Sequence, residues 1–377
     1  MTILPYKTIG IIGGGQLGRM MALEAKAMGY NVAVLEPTPN CPCGQVSDIE
    51  INAEYNDINA IKKLAEISDV ITYEFENIDY DALTYLEKNA YLPQGSSVLK
   101  TTQHRFREKT AIKNMGIPVP NFKLIKNAEE LEKNVFYPSV LKTTMFGYDG
   151  KGQVVLKNEN DLTTAKKIAA SSECILEEWM TYSKEISVIV ARSTTGETAV
   201  FPVAENIHVN NILHTSIVPA RISNEVEAKA INYAKKIANE LNAVGILAIE
   251  MFVVPTDKGD EIFINELAPR PHNSGHYTID ACVTSQFEQH VRAVCGLPLG
   301  DTTQHTACVM VNILGDHMDI EEISNLKPYL PLLKNGKIHL YGKAEAKIAR
   351  KMGHINMLGP IEESLEMINK CGIWRKP

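Results

Sequence analysis

Two glutamates, Glu250 and Glu266, have a spacing that suits a bound cation. Apolar runs at 246–254 and 261–267 flank the turn sequence PTDKGD and predict a β-hairpin. If the turn centres on Lys258, Glu250 lies directly across from Glu266, because each is eight positions from that centre. Two like charges that face each other inside apolar strands repel and are poorly solvated.

A divalent cation held by both carboxylates would remove this conflict. Oxygen ligands favour Mg²⁺, with Mn²⁺ as the alternative ion, because Mg²⁺ takes one or two carboxylates and completes its shell with water and phosphate oxygens. Two other interpretations stay open at this point. The pair could share a proton, or both side chains could face outward.

A glycine-rich stretch, MFGYDGKGQVVL, carries Gly147, Gly150 and Gly152 around Lys151 and leads into an apolar strand. Such a loop between two strands can lie over the phosphates of a nucleotide, because its N–H groups donate to phosphate oxygens and the lysine adds positive charge. It is not a Walker loop, which opens a helix and ends in Lys-Ser or Lys-Thr. A plain hairpin turn is the alternative.

Lys142 lies in the apolar strand sequence YPSVLKTT, where a lysine needs an anionic partner such as a phosphate. Further on, the strand CILEEWM ends with Glu177 and Glu178 before Trp179 and Met180. These types suit an adenine pocket, with an apolar wall and polar partners for base and ribose. Without the glycine loop, a strand end with an edge tryptophan would be the better interpretation.

The polar loop APRPHNSGHYT follows the predicted hairpin and offers groups for an oxyanion. Arg270 can bind such an anion with two parallel hydrogen bonds, and Asn273 and Ser274 supply neutral ones. The histidines are predicted to be structural or hydrogen-bonding residues, because no other ligand stands at helical or hairpin spacing from them: His208, His272 and His276.

A basic segment near the C-terminus, YGKAEAKIARKMGH, contains Lys343, Lys347, Arg350 and Lys351. In an acidic protein such a local cluster is a good site for a phosphate. A solvated basic turn is the alternative.

The first strand runs into a G-x-G-x-x-G turn at Gly13, Gly15 and Gly18, and Glu36 ends the next strand. This pattern is typical of dinucleotide-binding sites. The same turn can hold any phosphate at a helix N-terminus, so the pattern does not decide the ligand. Glu74 and Glu76 lie together at the carboxyl end of another strand of this predicted sheet, and both could face what the turn holds. Exposed charge at a strand end is the alternative for each.

The elements that position these residues predict an α/β protein of three domains. Residues 1–97 alternate strands and amphipathic helices, which predicts a Rossmann-like parallel sheet. A change of pattern near a Pro-Gly-Ser turn begins a second domain, 98–298, with a helix near 100–115, then mostly strands and turns to 215, and a long helix from Ser223. Short strands and a closing helix form a small β-rich region at 299–377.

The composition limits the class of protein. A net charge of −7 argues against general binding of nucleic acid or anionic membranes. No apolar run reaches the length of a membrane span, and the chain enters a core strand without a basic leader, which predicts a cytoplasmic location. The seven cysteines form no C-x-x-C pair and are predicted to be reduced structural thiols.

The ordered motifs resemble the ATP-grasp enzymes and, within them, the family of N5-carboxyaminoimidazole ribonucleotide synthases. The resemblance covers about residues 8 to 358 and rests on GGGQLG, YEFEN, GYDGKGQ, EEW, AIE, NELAPRPHNSGH and the YGK and RKMGH sequences. It implies a central ATP-grasp domain of two sheets with ATP between them. It also implies that the first glycine turn helps to hold a ribonucleotide rather than a dinucleotide.

The resemblance carries residue assignments over by motif. The implied ATP contacts are Arg105, Lys142, Gly147, Tyr148, Asp149, Gly150, Lys151, Gly152, Gln153, Glu177, Glu178, Trp179, Met180, Glu185, His208, Asn265 and Glu266. The implied ribonucleotide contacts are Gln16, Leu17, Glu74, Asn273, Lys343, Arg350 and Lys351. Glu250 and Glu266 match the family's Mg²⁺ ligands, in agreement with the hairpin arithmetic.

The implied reaction belongs to purine biosynthesis. ATP phosphorylates bicarbonate to carboxyphosphate, which delivers CO₂ to the amine of aminoimidazole ribonucleotide. Arg270 would position the bicarbonate, Asp149 would orient or deprotonate the amine, and Lys343 would assist from the C-terminal region. The family further implies a homodimer and a functional link to the mutase that uses the product.

Two other functions remain to be separated from this one. The first is the sibling ATP-grasp class that transfers formate to glycinamide ribonucleotide, although its phosphate loop is serine-rich. The second is a nicotinamide-dependent dehydrogenase or dinucleotide sensor, which would leave Glu250, Glu266 and the second glycine loop without a task.

Overall fold

The structure, a computed structural model, describes residues 1–145, 147, 152–318 and 323–372. Within these residues the strands form three sheets, and the predicted α/β class is confirmed. Among the described residues, none of the helices has both the length and the apolar character needed to cross a membrane.

The N-terminal sheet is parallel, as predicted, with the strand order β3-β2-β1-β4. Strands β1, β2 and β4 are buried on both faces, which is why they are almost continuously apolar, whereas β3 at the edge of the sheet is partly exposed. Asp57 and Asp79 each accept backbone N–H groups at the start of a helix and so fix where α2 and α3 begin. The elements are β1 (Thr8–Ile12), α1 (Gln16–Ala27), β2 (Asn31–Leu35), β3 (Ile49–Ile51), α2 (Ile58–Ile67), β4 (Val70–Tyr73) and α3 (Tyr80–Asn89).

The helix predicted near 100–115 is two helices, α4 (Ser97–Thr102) and α5 (Arg105–Asn114). The break falls at His104, whose backbone is extended. The first backbone N–H of α5, that of Arg105, then donates to the carbonyl of Thr144 at 2.9 Å. The break therefore ties the start of α5 to the sheet that follows.

A four-stranded antiparallel sheet, called here the small sheet, has the order β5-β8-β6-β7. Two helices cover it, α6 (Ala128–Asn134) and α7 (Leu162–Ser171), although the sequence between 121 and 215 predicted mostly strands and turns. Asn127 accepts a backbone N–H group where α6 begins, and Asn158 accepts one at the 3₁₀ turn Glu159–Asp161 that leads into α7. The strands are β5 (Phe122–Ile125), β6 (Ser139–Thr143), β7 (Gln153–Leu156) and β8 (Cys174–Glu178).

The third sheet, called here the large sheet, runs in the order β14-β13-β9-β11-β12-β15-β17-β16, with β10 paired to β9. Its strands are β9 (Lys184–Arg192), β10 (Thr198–Val200), β11 (Ala204–Val209), β12 (Ile212–Val218), β13 (Gly245–Thr256), β14 (Gly259–Ala268), β15 (Cys308–Leu314), β16 (Gly336–Leu340) and β17 (Lys351–Leu358). The accompanying helices are α8 (Asn224–Glu240), α9 (Thr278–Ala281), α10 (Gln286–Cys295) and α11 (Ile361–Cys371). The C-terminal strands therefore continue the sheet that carries the hairpin β13–β14.

The long helix α8 begins after Ser223, whose side chain accepts the N–H of Val226. Its apolar stripe, including Ala230, Ala234 and Ile237, is buried against the large sheet in one core cluster. The prediction that this stripe is core is confirmed.

Candidate active site

The hairpin β13–β14 pairs Glu250 with Glu266, as the sequence predicted, but the turn is not centred on Lys258. Thr256 pairs with Gly259, which places the centre half a residue earlier, between Asp257 and Lys258. Met251 pairs with Ile264, so Asn265 is an extra residue in the ladder and forms a β-bulge. The bulge shifts the register by one residue and brings the two glutamates opposite each other.

The two carboxylates have different surroundings. Burial and, after it, the facing charge of Glu266 raise the pKa of Glu250 to about 7. Burial acts in the same direction on Glu266, but the guanidinium of Arg105, 2.9 Å from its Oε2, outweighs burial and lowers the pKa of Glu266 to about 2. The pair therefore contains one firmly ionised carboxylate and one whose charge needs a cation.

The donor set around this pair suits Mg²⁺. The Oδ1 of Asn265 is buried and has no hydrogen-bond partner, so another oxygen ligand stands ready at the bulge. Within the residues that the structure describes, no cluster of three or more histidine, cysteine or acidic side chains could hold a metal. Two carboxylates with open positions are what Mg²⁺ uses when phosphate and water complete its shell, whereas a structural zinc site needs four protein ligands.

A narrow pocket joins the hairpin to strands β9 and β11. It brings together residues that the sequence assigned separately to metal and to ATP. The polar residues that line it are Glu185, Asn206, His208, Glu250 and Asn265.

His208 forms an ion pair with Glu185, and Tyr182 donates its hydroxyl to the other oxygen of Glu185 at 2.5 Å. Burial alone would lower the pKa of His208, but the hydrogen bond and charge of Glu185 outweigh burial and raise it. The ring of Tyr182 stacks on Phe252 with centroids 4.6 Å apart. Glu185 is therefore held in place from two sides.

Lys142 has the anionic partner that its apolar surroundings require, and this partner is a protein side chain. Its Nζ lies 2.7 Å from Oε2 of Glu177, which is 2% exposed. A second ammonium, that of Lys109, lies 3.8 Å from Oε1 of the same carboxylate. Burial would raise the pKa of Glu177, but the charges of Lys109 and Lys142 lower it to about 2.

Glu177 and Glu178 end β8, an inner strand of the small sheet, and Trp179 and Met180 follow directly. The backbone N–H of Trp179 donates to Pro138 at 3.3 Å, and Asn121 donates to the carboxylate of Glu178 at 2.7 Å. Beside these residues lies a pocket of about 340 Å³. Its lining is largely aromatic and consists of Asn121, Phe136, Tyr137, Pro138, Glu178 and Trp179.

Much of the second glycine loop falls outside the described residues, including Tyr148, Asp149, Gly150 and Lys151. Its two ends are described. The carbonyl of Gly147 accepts from Arg105 at 3.0 Å, and Gln153 pairs with Lys142 across β6 and β7. Gly152 has φ of +71°, a conformation that favours glycine. Both ends of the loop therefore meet residues of the candidate ATP site.

The first glycine turn is occupied by the protein's own carboxylates. Glu74, 8% exposed, accepts the backbone N–H groups of Gly15 and Gly18, the latter at 2.5 Å. Glu36 accepts the N–H of Gly14 at 2.8 Å. These N–H groups are the ones that a dinucleotide would need for its pyrophosphate. The geometry therefore argues against the dinucleotide interpretation.

Glu76 does not face this turn, unlike Glu74. Its Oε1 lies 3.0 Å from the guanidinium of Arg270. Burial raises the pKa of Glu76, the charges of Arg270 and Arg105 lower it, and that of Glu266 raises it. Burial also raises the pKa of Glu74, and the charge of Arg270 lowers it. The pair Arg270–Glu76 is therefore within electrostatic range of both Glu266 and the carboxylate at the glycine turn.

Lys343 reaches the glycine turn from the C-terminal region. Its Nζ donates to the side chain of Gln16 at 2.5 Å and to the carbonyl of Lys351 at 2.6 Å. Burial lowers the pKa of Lys343 to about 8, and the nearby charge of Arg350 contributes. Leu17 is buried in the core of the N-terminal sheet, which leaves its backbone as the group available to a ligand.

Asn273 is buried and exchanges two hydrogen bonds with Asn312 of β15, at 3.0 and 2.7 Å. Arg350 is tied to the carbonyl of Glu345 at 3.1 Å, and Lys351 begins β17. These residues lie on or beside the large sheet, as does Lys343. Most of the predicted ribonucleotide contacts are therefore carried by one sheet and the helix α1.

The sequence reasoning missed Glu108 and Lys109. Glu108 accepts the N–H of Leu267 at 3.2 Å, and Lys109 donates to the carbonyls of Ile264 and Asn265 at 3.0 and 2.5 Å. A usable signal was present, because Arg105, Glu108 and Lys109 have i, i+3, i+4 spacing and lie on one helix face. Asn312 was missed as well. The only sequence signal for it was a polar residue inside an otherwise apolar strand.

Three family models match the chain in order. They are described as the ribonucleotide synthetase preATP-grasp domain, over residues 6–103, the ATP-grasp domain, over 110–287, and the phosphoribosylaminoimidazole carboxylase C-terminal domain, over 308–367.

Whole-chain similarity leads to the same family. N5-carboxyaminoimidazole ribonucleotide synthase of Bacillus subtilis is 55% identical over 373 residues, which cover 98% of this chain and 96% of that protein. A solved ADP complex of an N5-carboxyaminoimidazole ribonucleotide synthetase has 61% identity and a TM-score of 0.94, covering 99% of this chain and 98% of that one.

An Aspergillus clavatus N5-carboxyaminoimidazole synthase, solved with ADP and 5-aminoimidazole ribonucleotide, has 30% identity and a TM-score of 0.89, with 98% of both chains covered. The resemblance stated from the motifs is thus confirmed. This chain belongs to the N5-carboxyaminoimidazole ribonucleotide synthase family of ATP-grasp ligases.

Proposed function

We propose that this protein carboxylates 5-aminoimidazole ribonucleotide at the expense of ATP and bicarbonate, and that it releases ADP and phosphate. One observation carries the proposal. In the acidic pair Glu250–Glu266, Arg105 connects Glu266 to the glycine loop, and Glu250 lines a narrow pocket together with Glu185 and His208. This places a cation site beside the groups that suit a nucleotide.

ATP would lie between the small and large sheets. Lys142 would place positive charge at the phosphates, and Glu185 and the segment Glu177–Met180 would contact the ribose and the base. The side chains present fit Mg²⁺, with Mn²⁺ as the alternative, through Glu250 and Glu266. When bound, this ion neutralises charge on the phosphate oxygens of the transferring group.

In the first step a bicarbonate oxygen bonds to the γ-phosphorus while the bond to the ADP oxygen breaks. Arg270 would hold the bicarbonate, because its guanidinium is anchored to Glu76 and is close enough to act on the charge of Glu74 as well. The resulting carboxyphosphate is short-lived, so the site has to exclude water while it exists. Arg270 and Lys142 are both shielded enough to contribute to that exclusion.

In the second step carboxyphosphate breaks down to CO₂ and phosphate, and the exocyclic amine bonds to the carbon of CO₂ and loses a proton. The ribonucleotide would be held by the predicted contacts on or beside the N-terminal and large sheets, which are Gln16, Glu74, Asn273, Lys343, Arg350 and Lys351. Asp149 would take the proton or orient the amine, a role that stays a prediction because Asp149 is not among the described residues.

We further infer a cytoplasmic enzyme that acts as a homodimer and hands its product to a mutase. Membership in a family of biosynthetic enzymes supports these expectations. Size-exclusion chromatography with light scattering tests the dimer, and a coupled assay with the mutase tests the link.

The deciding experiment measures ADP release with bicarbonate present or absent and with aminoimidazole ribonucleotide present or absent. We expect full turnover only when both are present. Parallel reactions with formate and glycinamide ribonucleotide test the sibling transformylase. Turnover with that pair, or turnover indifferent to bicarbonate, would overturn the proposed substrate.

A further inference from the structure

Lys109 on α5 is a buried ammonium for which the steps above give no role. It is 1% exposed, although lysine is rarely buried without a charged partner. Its Nζ donates to the carbonyls of Ile264 and Asn265, in β14, and lies 3.8 Å from Glu177, in β8. Lys109 therefore contacts both sheets between which ATP would lie.

The contact between Lys109 and Glu177 affects how much of the positive charge of Lys142 remains for a ligand. Glu177 has Lys142 on one oxygen at 2.7 Å and Lys109 near the other at 3.8 Å. Glu177 divides its negative charge between two ammonium groups, so part of the positive charge of Lys142 is left without this partner. That charge is available to the phosphates at Lys142, which is more exposed than Lys109.

The contacts with β14 explain why Lys109 stays in place. Asn265 is the extra residue of the β-bulge, and bulges leave backbone groups without ladder partners. The ammonium of Lys109 satisfies carbonyl groups there, and in return they hold it beside Glu177. The same bulge places Glu266 across from Glu250.

We propose that Lys109 is a positioning residue for the nucleotide: by sharing the charge of Glu177, it keeps the ammonium of Lys142 available to the phosphates of ATP. This inference rests on the ATP site proposed above. Lys109 itself does not touch the nucleotide in this account.

The test measures binding of MgATP to the full-length protein by titration calorimetry. Lys109→Met, which keeps the length of the side chain but removes its charge, should weaken binding about tenfold, equivalent to about 1.4 kcal/mol. The KM for aminoimidazole ribonucleotide should stay within about twofold, because Lys109 has no contact with that region. The matched control is Lys113→Met on the same helix, since Lys113 is exposed and should bind MgATP like the unaltered protein.

A double-mutant cycle separates this role from a merely structural one. In a Glu177→Gln background the carboxylate charge is gone, so Lys109→Met should weaken MgATP binding by about twofold or less. An equal loss in both backgrounds would mean that Lys109 only supports the fold. Thermal melting accompanies every variant, and Lys109→Gln replaces Lys109→Met throughout if the latter does not fold.

The possible results distinguish the two proposals. If the unaltered protein did not bind MgATP, the proposed function would fail. If it bound MgATP and Lys109→Met bound it equally well, only the role of Lys109 would be rejected. Lys109→Arg, which keeps the charge, should recover most of the affinity.

Discussion

Two pairs of glutamates in this protein differ in what neutralises them. At the first glycine turn, Glu36 and Glu74 accept backbone N–H groups of Gly14, Gly15 and Gly18. At the hairpin, Glu250 and Glu266 face each other, and Arg105 satisfies one of them. The first pair lies among donors, and the second pair retains an excess of negative charge.

This difference shows why residue type alone does not identify a ligand. A carboxylate that fills the N–H groups of a helix N-terminus takes the place of an anion and closes that site to phosphate. Two carboxylates without enough donors attract a cation instead. The glycine turn, which looks like a dinucleotide site in the sequence, is thus the less suitable of the two regions for the pyrophosphate of a dinucleotide or the triphosphate of ATP.

The largest expected effect comes from removing charge at the hairpin. Glu266→Gln should lower bicarbonate-dependent ADP release by about 10²–10³-fold, because a cation ligand and the partner of Arg105 are lost together. Asp260→Asn, at an exposed position of the same strand, is the matched control. Activity of Glu266→Gln within a few-fold of the unaltered enzyme would contradict the claim that the hairpin pair, unlike the pair at the glycine turn, binds a cation.

A smaller and differently placed effect is expected at the glycine turn. Glu74→Gln should reduce kcat/KM for the ribonucleotide about tenfold or more, because hydrogen bonds to an ionised acceptor are worth about 1.5–3 kcal/mol. The KM for ATP should not change. Steady-state kinetics with each substrate varied in turn measure both, with the exposed Glu54→Gln as control. A rise in the KM for ATP instead would place the nucleotide at this turn.

The pH dependence of activity tests whether Lys343 contacts the ribonucleotide. Burial lowers the pKa of Lys343 to about 8, so its positive charge is lost as pH rises through 8. With saturating bicarbonate and ATP, kcat/KM for the ribonucleotide should then fall, approaching about tenfold per pH unit well above that value. Lys343→Arg keeps its charge and should show no such decline. An identical alkaline limb in both enzymes would assign it to another group.

The smallest expected effect is a shift in melting temperature. MgATP at about one hundred times its Kd should add about 2.7 kcal/mol of stability and raise Tm by a few degrees. NADH should leave Tm unchanged, because Glu36 and Glu74 occupy the N–H groups that its pyrophosphate would need. Stabilisation by NADH but not by MgATP would mean that the glycine turn, and not the hairpin region, binds the nucleotide.

Much of this arrangement followed from the sequence because it depends on short-range patterns. Alternating strands and helices predicted the parallel sheet, and two apolar runs around a turn predicted the hairpin. The facing of Glu250 and Glu266 was correct although the assumed turn centre was not. The bulge at Asn265 compensated for the half-residue error, and sequence spacing does not reveal a bulge.

The contacts that link distant segments could not be predicted from spacing. Lys142 was expected to find its counter-charge in a phosphate, but Glu177 lies on the neighbouring strand at 2.7 Å. Two helices over the small sheet were missed, since each buries only one or two residues completely: Leu131 in α6, and Ala165 and Ala169 in α7. The roles of Glu108 and Lys109 became visible only when α5 was seen to pack beside β14.

The continuity of the large sheet has a mechanical consequence. The hairpin with Glu250 and Glu266 and the strands β16 and β17 on either side of Lys343 belong to one hydrogen-bonded ladder. A continuous ladder resists bending, so the proposed phosphoryl-transfer site at the hairpin and the proposed ribonucleotide site beside Lys343 should keep a fixed separation. We therefore expect any opening that admits the nucleotide to come from a displacement of the small sheet relative to the large sheet.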